Sequence, residues 1–202
     1  VVSYINCSAE VKAMSDIICT SSNAVRVVNS IPTDRPIIFA PDRHLGAYVQ
    51  RITGREMLLW DGTCEVHVNI SMDKLKLLMG RHPHAKLVAH PECLEHILLE
   101  ADHVGSTSSL LGFVKHDPGK EFIVATEAGI LYNMRAEVPG KTLIPAPAFA
   151  DNECACSECP YMKLNTLEKV RDALLFEEPA ITLDEEVRVR AHRALRRMLE
   201  LG

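Results

Sequence analysis

Apolar residues fall in short runs separated by stretches of helical character. The first run, Val1-Val2-Ser3-Tyr4-Ile5, reads as a strand already under way. A helix is expected over Ala9 to Ser15, an apolar run follows around Cys19, and a second helix is expected over Ala24 to Ser30. Ile37-Ile38-Phe39 reads as a third strand and Met57-Leu58 as a fourth, with a helix between them. The alternation then recurs, with helices expected over Leu94 to Glu100 and Leu110 to Lys115 and later strands at Ile123-Val124-Ala125 and Leu143-Ile144. Short apolar runs alternating with helices imply parallel strands joined by crossover helices. Strands such as Ile37 to Ala40 show no polar alternation, as expected of a sheet covered on both faces.

The recurrence has a fixed period. A shift of 86 positions, which carries Val2 onto Val88, lays one half of the chain on the other without a gap. It places Cys7 on Cys93, Asp16 on Asp102, Thr20-Ser21-Ser22-Asn23 on Ser106-Thr107-Ser108-Ser109, and Gly54 on Gly140. The identities are few, but the strand and helix boundaries coincide as well. The expected fold class is α/β, with repeated three-layer αβα lobes built on parallel sheets. One lobe spans residues 1–68 and the other 69–150. Residues 151–202 hold a Cys-rich loop and two helices, Tyr161 to Phe176 and Asp184 to Leu201. Leu164, Leu167 and Leu174 give the first of these an apolar face; Val187, Ala191, Ala194, Leu195 and Met198 do so for the second.

Composition narrows the function classes. Charged residues make up 24% and aromatics 5%, with a net charge of -5, so a nucleic-acid surface is not the expectation. No window approaches the ~18 apolar residues of a membrane span. No basic-then-apolar leader is visible, and a cytoplasmic location is expected. Seven cysteines in such a chain point to metal or redox chemistry rather than a disulfide framework.

Parallel sheets bind ligands beyond the carboxyl ends of their strands. Tyr4 and Asn6 stand there in the first lobe, His90 and Glu92 in the second. Ser21 and the pair Ser106-Thr107 follow the second strands, and Pro41-Asp42 and Thr126-Glu127 follow the third. Hydroxyl groups at helix starts can bind carboxylate or phosphate, or can simply cap the helix. His90-Pro91-Glu92 sets a base beside a carboxylate, a pairing suited to proton transfer near neutral pH. His67, three residues after Cys64, can line the same cavity or serve as a satisfied structural histidine. Cys64 follows the fourth strand of the first lobe. Cys154-Ala155-Cys156-Ser157-Glu158-Cys159-Pro160 follows that of the second. This C-x-C-x-x-C cluster leaves zinc, an iron–sulfur cluster and a redox pair as competitors.

Several of these segments have a family counterpart. Tyr4-Ile5-Asn6-Cys7, Cys19-Thr20-Ser21-Ser22-Asn23, Ala40-Pro41-Asp42-Arg43-His44-Leu45-Gly46 and Trp60-Asp61-Gly62-Thr63-Cys64 occur in that order. They are followed by Ala89-His90-Pro91-Glu92-Cys93, Gly105-Ser106-Thr107-Ser108, Ala125-Thr126-Glu127-Ala128-Gly129 and Cys159-Pro160-Tyr161-Met162. In this set and order the chain resembles the quinolinate synthases, iron–sulfur enzymes of bacterial NAD biosynthesis. The resemblance implies three related lobes about a pseudo-three-fold axis, of which the 86-residue repeat would be two. It implies one 4Fe-4S cluster held by three cysteines with one iron position open. Cys64 and Cys159 would be two of those ligands, and Cys154 and Cys156 an accessory redox pair. Family members with three cysteines in that loop usually carry C-x-x-C-x-x-C, a spacing this chain departs from. The family's first lobe, with the third cysteine, would precede the equivalent of Val1. The chain therefore reads as a truncated form, expected to bind the cluster poorly and to be inactive in isolation.

The same resemblance implies the reaction. Iminoaspartate condenses with dihydroxyacetone phosphate to give quinolinate, with loss of phosphate and two waters, in functional link with L-aspartate oxidase. His90, Glu92 and Tyr4 would be catalytic. Tyr4, Asn6, Ser21, His90, Glu92, Ser106 and Thr107 would bind substrate. The rival readings are a zinc-dependent hydrolase and a non-catalytic two-lobe anion-binding module.

Overall fold

The computed structural model describes residues 1–149 and 157–201. The expected Cys154/Cys156 pair lies outside the described residues. The first sheet is built from β1 (Val2–Tyr4), β2 (Ile17–Cys19), β3 (Ile38–Phe39) and β4 (Leu58–Leu59), in the order β2-β1-β3-β4. The second uses β5 (Lys86–Ala89), β6 (His103–Val104), β7 (Glu121–Ala125) and β8 (Thr142–Pro145), in the order β6-β5-β7-β8. Every pair is parallel. The crossovers are α1 (Ala9–Ala13), α2 (Ala24–Asn29) and α3 (Arg43–Thr53) in the first lobe. Two helices, α4 (Glu65–Val68) and α5 (Met72–Arg81), lead to the second lobe. Its crossovers are α6 (Glu95–Glu100), α7 (Thr107–His116) and α8 (Ile130–Glu137). The fold is α/β, and the two lobes share one topology.

The repeat has a single slip. Val2 pairs with Ile17 and Val88 with His103, so β1 and β2 repeat at 86 positions. Val2 pairs with Phe39, however, whereas Val88 pairs with Val124. The third strands therefore correspond at 85 positions, and the gapless alignment is off by one there. Two hydrogen bonds agree: Trp60 N–H donates to the Phe39 carbonyl, and Ala146 N–H to that of Val124. The side-chain period of a strand is two, so a one-residue difference decides which side chains share a face.

The second sheet is buried on both faces. Leu87, Ile97 and Ile123 pack on one side, and Val88, Leu110, Phe122 and Met134 on the other. The first sheet departs from the two-sided expectation. Ile38 and Leu58, partners across β3 and β4, are 45% and 67% exposed. Its buried core gathers Val2, Ile17, Phe39, Val27 and Leu45.

The C-terminal part also departs from the sequence reading. The expected helix Tyr161 to Phe176 is broken into a 3-10 turn, Met162–Leu164, and α9, Leu167–Phe176. Asn165 caps the end of the first, and Thr166 starts the second, its side chain accepting a hydrogen bond from Lys169 N–H as an N-cap. Leu164, Leu167 and Leu174 are exposed rather than packed. The last helix, α10 (Glu185–Leu199), does bury its stripe. Ala194 and Met198 join the core of the first sheet, with Leu195 against it. Among the described residues no helix is long and apolar enough to cross a membrane.

Candidate functional site

The strand ends of both lobes open into one cavity of about 960 Å³. Tyr4 enters it from the end of β1 and Asn6 from the loop that follows, His90 and Glu92 from the loop after β5, and Thr107 from the start of α7. Cys64 and Cys159 both line it, and both thiols are free and half-buried. Ser21 and Ser106 are not among its lining residues. Ser21 sits behind Tyr4, whose hydroxyl reaches its oxygen at 3.5 Å. Ser106 is the N-cap of α7, its side chain accepting from Ser109 N–H at 3.3 Å. Capping therefore accounts for Ser106, while its neighbour Thr107 faces the cavity.

At the cavity floor two histidines and a carboxylate are packed against each other. Glu92 is only 7% exposed. One of its oxygens lies 3.0 Å from His67 Nδ1, off the line of a good hydrogen bond but well within ion-pair range. The same oxygen lies 3.9 Å from His90 Nδ1. Glu92 N–H donates to that His90 nitrogen at 3.4 Å, which leaves Nε2 to carry the proton of a neutral ring. The two imidazoles stack, with centroids 4.6 Å apart and planes 11° apart. On its far side His67 Nε2 meets Thr126 Oγ1 at 3.0 Å. Local chain geometry explains the placement. Cys64 is the N-cap residue of α4, so one turn sets His67 on the same side as the thiol.

The electrostatics of the cluster separate its members. Burial pulls His67 down, but hydrogen bonding to Cys64 and Glu92 and their charges outweigh it and lift it to about 9. Burial and the charge of His67 push His90 down to about 4, against the pull of Glu92. Burial raises Glu92, yet bonding to His67 and the imidazolium charge beside it bring it below the usual carboxylate range. Near neutral pH the cluster is thus an ion pair, Glu92 with His67, beside a neutral His90. Burial also raises the Tyr4 phenol, partly offset by its bond to Ser21.

The remaining cysteines have different surroundings. Cys19 is buried in the first core, its thiol pushed up to about 12 by burial. Cys93 is buried in the second, donating to the Ala125 carbonyl at 3.3 Å. Cys7 differs from its repeat partner Cys93 and lines the cavity.

The donor chemistry fits a thiolate-held inorganic group. Cys64, His67 and Glu92 bring their ligating atoms within 4.8 Å of one another, and Cys159 faces the same space from the other lobe. Structural zinc prefers thiolate and imidazole, whereas iron–sulfur clusters prefer thiolate. His67 Nε2 is held by Thr126 and its Nδ1 faces Glu92, and among the described residues the free thiols lining the cavity are those of Cys7, Cys64 and Cys159. Sequence reading left His67 undecided. The cue was its spacing from Cys64, but its partner Glu92 lies 25 positions further on and gave no local signal.

Comparison with known proteins supplies the family. A family profile described as "Quinolinate synthetase A protein" matches residues 1–200. The chain is 55% identical over all 202 residues to the quinolinate synthase of Rippkaea orientalis, covering 62% of that protein. It is 55% identical to that of Microcystis aeruginosa, covering 63%, and 54% identical to that of Trichormus variabilis, covering 62%. The chain thus spans a little over three-fifths of the length of these relatives. Over essentially every residue given, it belongs to the quinolinate synthetase A family.

Proposed function

We propose that this chain carries much of the active site of a quinolinate synthase. The reaction joins iminoaspartate to dihydroxyacetone phosphate and releases quinolinate, phosphate and two waters. The observation that supports it most directly is the convergence of Cys64 and Cys159, one from each lobe, on the cavity that holds His67, His90 and Glu92. Cys64 and Cys159 would hold a 4Fe-4S cluster, which supplies Lewis acidity toward substrate oxygen or nitrogen.

The chain's own groups account for binding and proton movement. Iminoaspartate brings two carboxylates and the triose a phosphate, so hydrogen-bond donors are needed around the cavity. The Tyr4 hydroxyl, the Asn6 amide and the Thr107 hydroxyl provide them. Thr107 also opens α7, a ten-residue helix whose first N–H groups favour an anion. His90, held neutral, offers Nε2–H as a hydrogen-bond donor and, in its other tautomer, an unprotonated Nε2 that can take a proton from carbon or oxygen and, as the imidazolium, give it back. Glu92 holds the imidazole pair in place and stabilises positive charge developing on it. Ring closure needs tautomerisation and two dehydrations, each a proton transfer of this kind. Iminoaspartate would come from an aspartate-oxidising enzyme.

The test uses the protein that contains this chain, purified without oxygen. A brown protein with iron and sulfide and quinolinate formation from the two substrates is the expected result. A colourless protein with one zinc and no quinolinate would overturn the reading in favour of a zinc hydrolase.

A further inference from the structure

We infer that Asp42 and Glu127 are positioning residues for the two cysteines, each carboxylate clamping the backbone of one of them in the same way. The inference rests on the proposed assignment of Cys64 and Cys159 as cluster ligands.

In the first lobe Asp42 follows β3 and caps α3. Its Oδ1 accepts hydrogen bonds from His44 N–H at 2.7 Å and Leu45 N–H at 2.9 Å. Its Oδ2 accepts from Cys64 N–H at 2.7 Å. The next residue, Arg43, donates its N–H to the Gly62 carbonyl at 2.8 Å. The Cys64 carbonyl in turn accepts from Val68 N–H at 3.1 Å.

The second lobe repeats the pattern except for the Leu45 bond, since Ile130 N–H donates to the Glu127 carbonyl at 3.3 Å instead. Glu127 follows β7, and its Oε2 accepts from Gly129 N–H at 2.7 Å. Its Oε1 accepts from Cys159 N–H at 3.3 Å. The next residue, Ala128, donates to the Ser157 carbonyl at 2.8 Å, and the Cys159 carbonyl accepts from Lys163 N–H at 3.2 Å. In both lobes the acid takes the cysteine N–H, and the residue after the acid binds the carbonyl two before the cysteine. The cysteine carbonyl then starts a helical turn. The acids lie 22 and 32 positions from their cysteines, so no local turn produces the match. Glu127 is one methylene longer than Asp42, and Gly129 makes room for it. A Cβ there would sit 2.7 Å from Glu127 Oε2.

The physical effect is to remove slack. A cysteine with both peptide groups engaged reaches the cavity through χ1 alone, which confines the sulfur to a few staggered positions. Outer partners that orient a ligand typically contribute 10–100-fold to metal retention. Two clamps related by the repeat would fix two sulfurs from separate lobes at a constant separation.

The experiment uses the whole protein loaded with its cluster under anaerobic conditions, without substrate, so that turnover plays no part. A ferrous chelator is added and the bleaching of the visible absorbance is followed. The variants are Asp42→Asn, Asp42→Ser and Glu127→Gln. Asparagine and glutamine have one acceptor oxygen and cannot keep both sets of bonds. Serine keeps the α3 cap but does not reach Cys64. Each variant is expected to lose iron about tenfold faster than the parent, and Asp42→Asn combined with Glu127→Gln faster than either. The electron paramagnetic resonance signal of the reduced cluster should change in shape, while the melting temperature of cluster-free Asp42→Ser stays at the parent value. Release at the parent rate with an unchanged signal would overturn the clamp alone. A parent protein that takes up no iron would overturn the ligand assignment and the clamp with it. If Asp42→Asn does not fold, Asp42→Ser and Glu127→Gln decide the matter.

Discussion

His67 and His90 lie face to face, 4.6 Å between centroids, yet burial and charge drive their proton affinities in opposite directions. Two charged imidazoles at that spacing would repel each other strongly, so one neutral and one paired with Glu92 is the stable arrangement. The pair is thus divided: one ring is held by the carboxylate and the other is neutral.

Glu92→Gln is expected to abolish quinolinate formation while the visible spectrum and iron content of the whole protein stay intact. The amide fills the same volume but cannot balance an imidazolium. Loss of the cluster in this variant would show that Glu92 is structural. Anaerobic turnover and iron analysis on one preparation separate the two outcomes.

His67→Phe keeps a ring to stack on His90 but removes the partner of a buried carboxylate. Breaking a buried pair by removing one member typically costs about 3–5 kcal/mol. The midpoint of urea unfolding should fall accordingly. Replacing both members, His67→Phe with Glu92→Leu, should recover much of that loss.

Ser106→Ala tests the cap assignment. Loss of the bond to Ser109 N–H should cost about 1 kcal/mol of stability, with little change in the KM for either substrate. Thr107→Val should do the reverse, raising KM with a small effect on unfolding. A large KM effect from Ser106→Ala would restore it to the binding set.

Met198→Ala should destabilise the protein by about 2 kcal/mol, because the side chain fills the first core from α10. Leu174→Ser, on exposed α9, should stay within about 0.5 kcal/mol of the parent. Chemical denaturation of both variants distinguishes a docked helix from one that shows an apolar stripe to solvent.

Much of this was legible in the residues. Strand positions and the 86-residue period could be read because buried parallel strands are short apolar runs between helices. Strand ends carry the polar residues, so Tyr4, Asn6, His90 and Glu92 could be placed at one end of the lobes. The one-residue slip at β7 was hidden because Val124 and Ala125 are equally apolar. His67 and the carboxylates of Asp42 and Glu127 were harder for another reason. Their partners are set by three-dimensional proximity, and a capping Asp looks the same in sequence whether or not its second oxygen holds a distant cysteine. The apolar stripe expected over 161–176 marked the helix from Leu167 to Phe176 but not the break before it, and gave no information on what, if anything, it packs against.

The docking of α10 on β2 also sets an order of events. Ala194 and Met198 belong to the first core, so the first sheet cannot finish that core until α10 has left the ribosome. The last strand of that sheet ends at Leu59 and α10 at Leu199, 140 positions later, so at ~5–20 residues per second the delay is roughly 7–28 s. The second lobe, made later, has its whole core within its own segment and is free to mature first. Newly made chains would therefore expose Val2, Ile17 and their neighbours the longest, and that is the surface a chaperone would meet.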